Sequence, residues 1–268
     1  MLYEARVLAH EGVKEMIVVA QDTSRYGTDL GDGKRLLPTL LKELCAIEDL
    51  HWVRLHYVYP DEIDEELIEV MASEPKIVKY LDIPIQHCNS KILKLMNRRG
   101  DKQLLEDLFR KLRSRIPDIV IRTSLITGLP GEGEEEFEEL CTFLRQQRLE
   151  RVGAFAFSPQ EGSAAFEMEY PDFEVAQKRA EIIEMIQSGI MDDYNAAMVG
   201  RKLEVLVEGF DEEYEQNFGR SYADSPDIDG RVWLACDEPL TEGDFVTVQI
   251  DGVIDGDLTG YVLEDEEV

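Results

Sequence analysis

The sequence predicts a parallel α/β domain followed by a small antiparallel β-barrel, on three observations. Over the first 170 residues, short apolar runs rich in β-branched residues alternate with helical patterns, as in a sheet buried on both faces. Polar residues gather just after each run: Gln21 and Asp22, Tyr59, Gln86 and His87, the turn after Arg122 and Thr123, Ser158 and Gln160. In α/β barrels that end of the strands carries the ligand. From Lys202 the helical period disappears, and short strands separated by Gly, Pro and Asp take over.

Residues 2–11 read as a helix with Leu2, Ala5, Leu8 and Ala9 on one face, ended by Gly12. It opens without a cap, which suggests that chain precedes it. The run 15–20 (EMIVVA) is a strand, 21–27 a polar loop and 36–46 a helix. The unit repeats as a strand at 52–57, a turn at Pro60 and Asp61, and a helix at 64–72. A third strand at 80–85 (YLDIPI) leads to the loop 86–89, where Ser90 is expected to cap a short helix through Met96. A helix at 102–115 then feeds the stretch that organises the chain, residues 119–140 (IVIRTSLITGLPGEGEEEFEEL).

That stretch reads as a buried strand, a Gly128-Leu129-Pro130-Gly131 turn and a helix. The glycines permit close backbone approach, and residues 132–136 place carboxylates in the first helical turn, where the macrodipole favours them. Arg122 inside a buried strand needs a carboxylate partner, either the protein's own or a ligand's. The run 151–157 (RVGAFAF) is the fifth strand, and Pro171 opens a long bracing helix to Met198. The expected organisation is an α/β unit over 1–170, a helix over 171–198 and a β-barrel over 199–268, with strands near 203–207, 231–234, 245–250 and 261–263.

Composition narrows the function. No apolar run reaches membrane-spanning length and the first ten residues lack a signal-peptide core, so neither a membrane partner nor secretion is expected. Cys45, Cys88, Cys141 and Cys236 lie far apart, as reduced thiols of a cytoplasmic protein would. The 28 Lys and Arg against 57 Asp and Glu give −29 at pH 7. Residues 199–268 hold 4 basic and 20 acidic side chains, a balance of −16. Such a field repels phosphate backbones, so nucleic acid is not expected as a partner and a basic polypeptide is.

The visible residues suggest no metal site, because His10, His51 and His56 share no ligand spacing with one another or with a cysteine. His87, in a loop that follows a strand, is the better candidate for ligand contact. No GxSxG-like elbow marks a hydrolase, and the Gly128 to Gly131 turn lacks the Lys-Ser/Thr of a P-loop.

Five ordered motifs carry a family resemblance: AQDTSRYG (20–27), DIPIQH (82–87), MNRRG (96–100), RTSLITGLPGE (122–132) and VGAFAFSPQEGSAA (152–165). Together they resemble the radical S-adenosylmethionine methylthiotransferases, and the C-terminal part is similar to the OB-like TRAM module those enzymes carry. The first motif, HYVYP (56–60) and SPDIDG (225–230) resemble the branch that methylthiolates the β-carbon of an aspartate in the twelfth small-subunit ribosomal protein. The resemblance implies strands two to six of a TIM-like radical SAM barrel, S-adenosylmethionine as cofactor and two 4Fe-4S clusters in full-length members. It further implies Gln21 and Asp22 near the cofactor's amino group, Arg122 on its carboxylate, and Ile126 to Gly128, Phe157 and Ser158 around its adenine. Arg25 and Tyr26, on a loop at the open face, are candidates for substrate approach, His87 joins them from its place after a strand, and a monomer is expected.

This chain lacks the family's CxxxCxxC trio and the three further cysteines of its N-terminal domain. It therefore cannot hold either cluster by the family's ligands, and the isolated chain is expected to be inactive. Two other readings stand beside the first. Sister enzymes modify a transfer RNA adenosine, which the acidic C-terminal module disfavours, and a non-catalytic acidic adaptor for a basic protein would explain the missing cysteines.

Overall fold

The computed structural model describes residues 1–30 and 33–264. Five strands form one parallel sheet in sequence order: β1 (Glu15–Val18), β2 (Trp52–Leu55), β3 (Ile77–Asp82), β4 (Val120–Thr127) and β5 (Arg151–Ala156). Their outward side chains, among them Val18, Val53, Leu55, Leu81, Ile121 and Leu125, share a single core with helices α1 (Leu2–His10), α2 (Leu37–Cys45), α3 (Glu65–Ser73), α4 (Ser90–Leu95), α5 (Lys102–Arg115) and α6 (Glu134–Gln147). A parallel sheet in sequence order with its helices on one face is an open part of a barrel, because right-handed crossovers leave the other face free.

Several boundaries differ from the sequence reading for local reasons. Strand β1 is only partly buried because it forms the sheet edge, and Val19 beyond it is exposed. Strand β3 begins at Ile77 and ends at Asp82; past Pro84 the chain rejoins β4 through a single bridge, Gln86 to Leu125. The cap of α4 is Asn89, whose side chain accepts from the N–H groups of Lys91 and Ile92, and Ser90 is the first helical residue. Glu132 lies before α6 and is buried rather than complementing the helix dipole.

Helix α7 (Phe173–Met198) packs along β5 and β4 with Ala176, Ala180, Ile183 and Ile190 inward. It delivers the chain to a closed barrel of β6 (Lys202–Asp211), β7 (Gln216–Ser221), β8 (Val232–Ala235), β9 (Phe245–Ile254) and β10 (Asp257–Val262). Leu203, Val205, Val207, Val232, Leu234, Val248, Ile250 and Leu258 fill it. Strand β7 was not foreseen, since QNFGRS has no apolar alternation. The barrel is not wholly antiparallel: β8 and β10 run parallel. Residues 265–268, assigned from sequence to this domain, lie outside the described residues.

Candidate functional site

In a parallel pair, residues in register share a face. The register Asp82 with Arg122, Arg122 with Arg151, Ser124 with Gly153 and Ile126 with Phe155 therefore defines one inward row across β3, β4 and β5. Trp52 and Arg54 extend it along β2, with His56 just past its end, and Glu15 along β1. Its lower half is filled from outside the sheet. The segment 222–231 between β7 and β8 inserts against it, and Trp52, Val78, Tyr80 and Val120 pack on Leu206 and Ala223.

Charge joins the two domains there. Arg151 Nη2 donates to Asp224 Oδ1 at 2.9 Å, and Tyr80 Oη donates to Asp229 Oδ2 at 2.6 Å. Arg220 of the barrel donates to Glu15 Oε2 at 2.6 Å, and Arg54 reaches Glu15 Oε1 at 2.7 Å and the Tyr222 carbonyl at 2.8 Å. Ser225 Oγ lies 3.2 Å from His56 Nε2. Burial alone would raise the Glu15 carboxyl, yet Arg54 and Arg220 together hold it below its ordinary range. Burial pushes the Tyr80 phenol far up, with Asp229 adding to it, so Tyr80 stays a donor.

Arg122 belongs to this network. Its Nη1 donates to Asp82 Oδ1 at 3.0 Å, and its Nε lies 4.0 Å from Asp229 Oδ1. The carboxylate a strand-embedded cation requires is thus supplied by the protein itself.

Above the network the row opens into a trough. Ser124 and Ile126 are half-buried, and Phe155 is 57% exposed on the inward face. Phe155 was missed from sequence, although the alternation through Arg151, Gly153 and Phe155 could have shown it; Phe157 instead packs edge-on against Tyr170. Ser158 is exposed at the end of β5, and Gln21 is exposed across the trough beyond β1. Asp22 beside it is fixed by the Ser24 hydroxyl. Ile126, Gly128, Phe157 and Ser158 therefore lie at the C-terminal ends of the neighbouring strands β4 and β5, and Gln21 and Asp22 at the C-terminal end of β1, at the other edge of the sheet.

The Gly128 turn is built from within. Gly128 has φ +75, and a Cβ there would lie 2.3 Å from the Ala176 Cβ of α7, so glycine is required on both counts. Its N–H donates to Glu132 Oε1 at 2.9 Å, and Arg179 of α7 donates to the same oxygen at 2.8 Å. The place a phosphate would take is held by the chain's own carboxylate. His87 sits behind this turn, fully buried, and does not reach the open face as the sequence reading expected. Its Nδ1 accepts from the Asn89 N–H, which leaves the proton on Nε2, 3.4 Å from Glu132 Oε2. Tyr26 packs against the helix-side core, while Arg25 is exposed.

The cysteines present do not fit an iron–sulfur cluster. Burial pushes the Cys45 thiol up to about 11 and the Cys88 thiol up to about 12, with Cys141 also raised, whereas cluster ligands are thiolates. Among the described residues no group of three or more His, Cys, Asp or Glu could hold a metal ion. An adenosyl group does fit the trough, because the exposed Phe155 ring beside Ile126 and the small Gly153 leaves an apolar plane for a purine.

Residues 1–144 match the radical SAM superfamily and residues 199–263 the TRAM domain. The chain is 47% identical over 262 residues to the ribosomal protein uS12 methylthiotransferase RimO of Caldanaerobacter subterraneus subsp. tengcongensis, covering 97% of this chain and 59% of that protein. It is 44% identical over 267 residues to the RimO of Acetivibrio thermocellus, covering 99% and 58%. The chain therefore spans about three-fifths of these relatives. Coproporphyrinogen III oxidase (HemN) from Escherichia coli, a radical SAM enzyme, superposes with TM-score 0.52 at 14% identity, over 78% of this chain and 51% of that one, which supports the fold. With more than half of its residues matched, the chain belongs to the radical SAM superfamily and carries a TRAM domain behind its half-barrel.

Proposed function

We propose that this chain forms the cofactor trough and docking module of a radical SAM methylthiotransferase that modifies an aspartate of ribosomal protein uS12 in the cytoplasm. The observation that carries the proposal is 40–47% identity across almost the whole chain to proteins named for that reaction. S-adenosylmethionine, bound beside clusters whose ligands the resemblance assigns to cysteines this chain lacks, would supply radical and methyl chemistry. The chain's own residues hold and orient. Ile126 and Phe155 would offer an apolar face to a purine, Phe157 and Ser158 would stand at its edge, and Gln21 and Asp22 would offer acceptors to an ammonium group. The Gly128 turn, locked by Glu132 and Arg179, fixes the end of β4, which would flank the adenine. Arg122, compensated by Asp82 and Asp229, sets the polarity of the floor.

The substrate follows from charge. TRAM's −16 opposes a polyanion and attracts a basic protein, so uS12 is favoured over transfer RNA. The test is a hybrid joining the N-terminal part of the Caldanaerobacter relative, which this chain does not match, to this chain. Reconstituted with iron and sulfide and given S-adenosylmethionine, it should add a methylthio group to uS12, read by mass spectrometry of the protein. Cofactor cleavage with uS12 unmodified, or modification of transfer RNA instead, would sink the proposal.

A further inference from the structure

Three motifs, AQDTSRYG, HYVYP and MNRRG, converge on one cleft. It has a volume of about 390 Å³ and lies at the rim where β1, β2 and β3 end, sharing Asp22 with the trough. Its size falls in the range of small-ligand and side-chain pockets rather than of whole-domain interfaces. Ile85, Leu93, Met96 and Leu105 give it an apolar floor. One wall is rigid: Arg98 stacks 5.0 Å from the Tyr59 ring centroid and donates to the Pro84 carbonyl at 2.8 Å, which pins the MNRRG loop to the end of β3.

The rim is charged in both senses. Among the described residues the Arg25 guanidinium has no hydrogen bond or ion pair, and Arg99, 81% exposed, stands 3.7 Å from Glu62 and 4.0 Å from Asp61, too far for hydrogen bonds. Glu62 is already matched by Arg35, and Asp61 faces the cleft. Two fork-shaped donors with spare capacity suit a carboxylate. Acidic groups in the same wall penalise a polyanion, since a phosphate chain would pass Asp22 and Asp61. A protein segment with a carboxylate next to a cation matches both signs.

Building on the proposed function, we infer that this cleft is its substrate-recognition site: Arg25 and Arg99 hold the carboxylate of the target aspartate, and Asp61 takes a neighbouring cationic side chain of the basic substrate. Recognition then rests on loops that follow three successive strands, next to the trough that holds the cofactor. AQDTSRYG and HYVYP, which carry the resemblance to one branch of the family, form one surface there with MNRRG.

The test measures binding of the 268-residue chain to purified uS12 and to a set of uS12 variants, each with one aspartate changed to asparagine. Arg25 and Arg99 are exposed, so Arg25→Ala and Arg99→Ala leave the fold intact, which thermal unfolding checks. Each should weaken uS12 binding about tenfold. Against one of the asparagine variants the arginine substitutions should have no further effect, the signature of a direct pair in a double-mutant cycle. An equal penalty on every uS12 variant would overturn the inference while leaving uS12 as substrate. Failure of the unsubstituted chain to bind uS12 would overturn the substrate reading, and this inference with it. Transfer RNA that binds more tightly than uS12 and loses affinity on Arg25→Ala would place phosphate in the cleft and overturn the peptide assignment.

Discussion

Replacing Asp224 by asparagine tests whether the terminal barrel is locked into the half-barrel by buried charge. Asp224 Oδ1 accepts from Arg151 Nη2 at 2.9 Å, while Oδ2 accepts from the Ser221 hydroxyl at 2.7 Å and the Ser221 N–H at 3.3 Å. Both side chains are below 10% exposed. The asparagine amide keeps the shape but must turn its NH2 toward either Arg151 or the Ser221 N–H, so one donor meets another whichever way it lies. Arg151 would be left with the Glu150 carbonyl at 3.3 Å, Asp229 at 4.0 Å and the Tyr194 ring at 5.2 Å. Removing one partner of a buried pair costs about 3–5 kcal/mol. Urea denaturation with separate near-UV and far-UV readouts should show that loss, and the unfolding transitions of the two domains should separate. Arg151→Met combined with Asp224→Asn removes the orphaned cation and should recover more than half of the loss. A loss below about 1 kcal/mol for the single change would refute burial of this pair between the domains.

Three further outcomes are expected. Gly128→Ala should destabilise by about 2–4 kcal/mol in the same denaturation assay, because it combines a left-handed φ with a 2.3 Å approach to Ala176. Burial, reinforced by Arg54 and Arg122, lowers His56 below 6.5 against the opposite pull of Asp82 and Asp229; Tyr80 and Ser225 also face it. A depressed histidine stabilises the fold fully above its unfolded value and loses that contribution as pH falls through its folded value. Stability should therefore drop below about pH 6.5, by at most about 1.4 kcal/mol per pH unit for this group, and His56→Gln should flatten that part of the profile. Binding of uS12 to the chain should weaken steeply between low and high salt, and an affinity unchanged across that range would refute electrostatic steering by the TRAM surface.

What could be read from sequence was what repeats locally. The runs at 15–20, 52–57, 119–126 and 151–157 announced strands because an apolar stretch bounded by turns is a local pattern, and the change at Lys202 announced the second domain. Strand β7 escaped because its buried residues are Gly219, Arg220 and Ser221, which carry no apolar signal. Glu132 was read as a helix-dipole partner because three carboxylates follow it, yet its partner Arg179 comes 47 residues later on α7. Arg122 was legible as a cation in need of a carboxylate, but not which one: Asp82 lies 40 residues upstream and Asp229 in the other domain. His87 looked accessible because it follows a strand, and only the path of α6 shows that it is enclosed. Pairings over such separations are set by how helices pack on the sheet, which no window of sequence contains.

The same limit applies to net charge, and the structure separates two uses of acidity that composition merges. Asp224 and Asp229 face inward and compensate Arg151 and Arg122 of the half-barrel, so they hold the domains together. The TRAM cations are tied down as well: Arg220 to Glu15 and Glu208, Arg201 to Asp118, and Arg231 over the Phe218 and Trp233 rings. Carboxylates such as Glu212, Glu213, Asp237 and Glu238 are exposed on the outer surface. Neutralising those four should reduce association with a basic protein and leave unfolding unchanged, whereas neutralising Asp224 should do the reverse at low denaturant. A polyanion would be repelled by the first group and could never reach the second, so the two sets of substitutions separate surface attraction from domain locking.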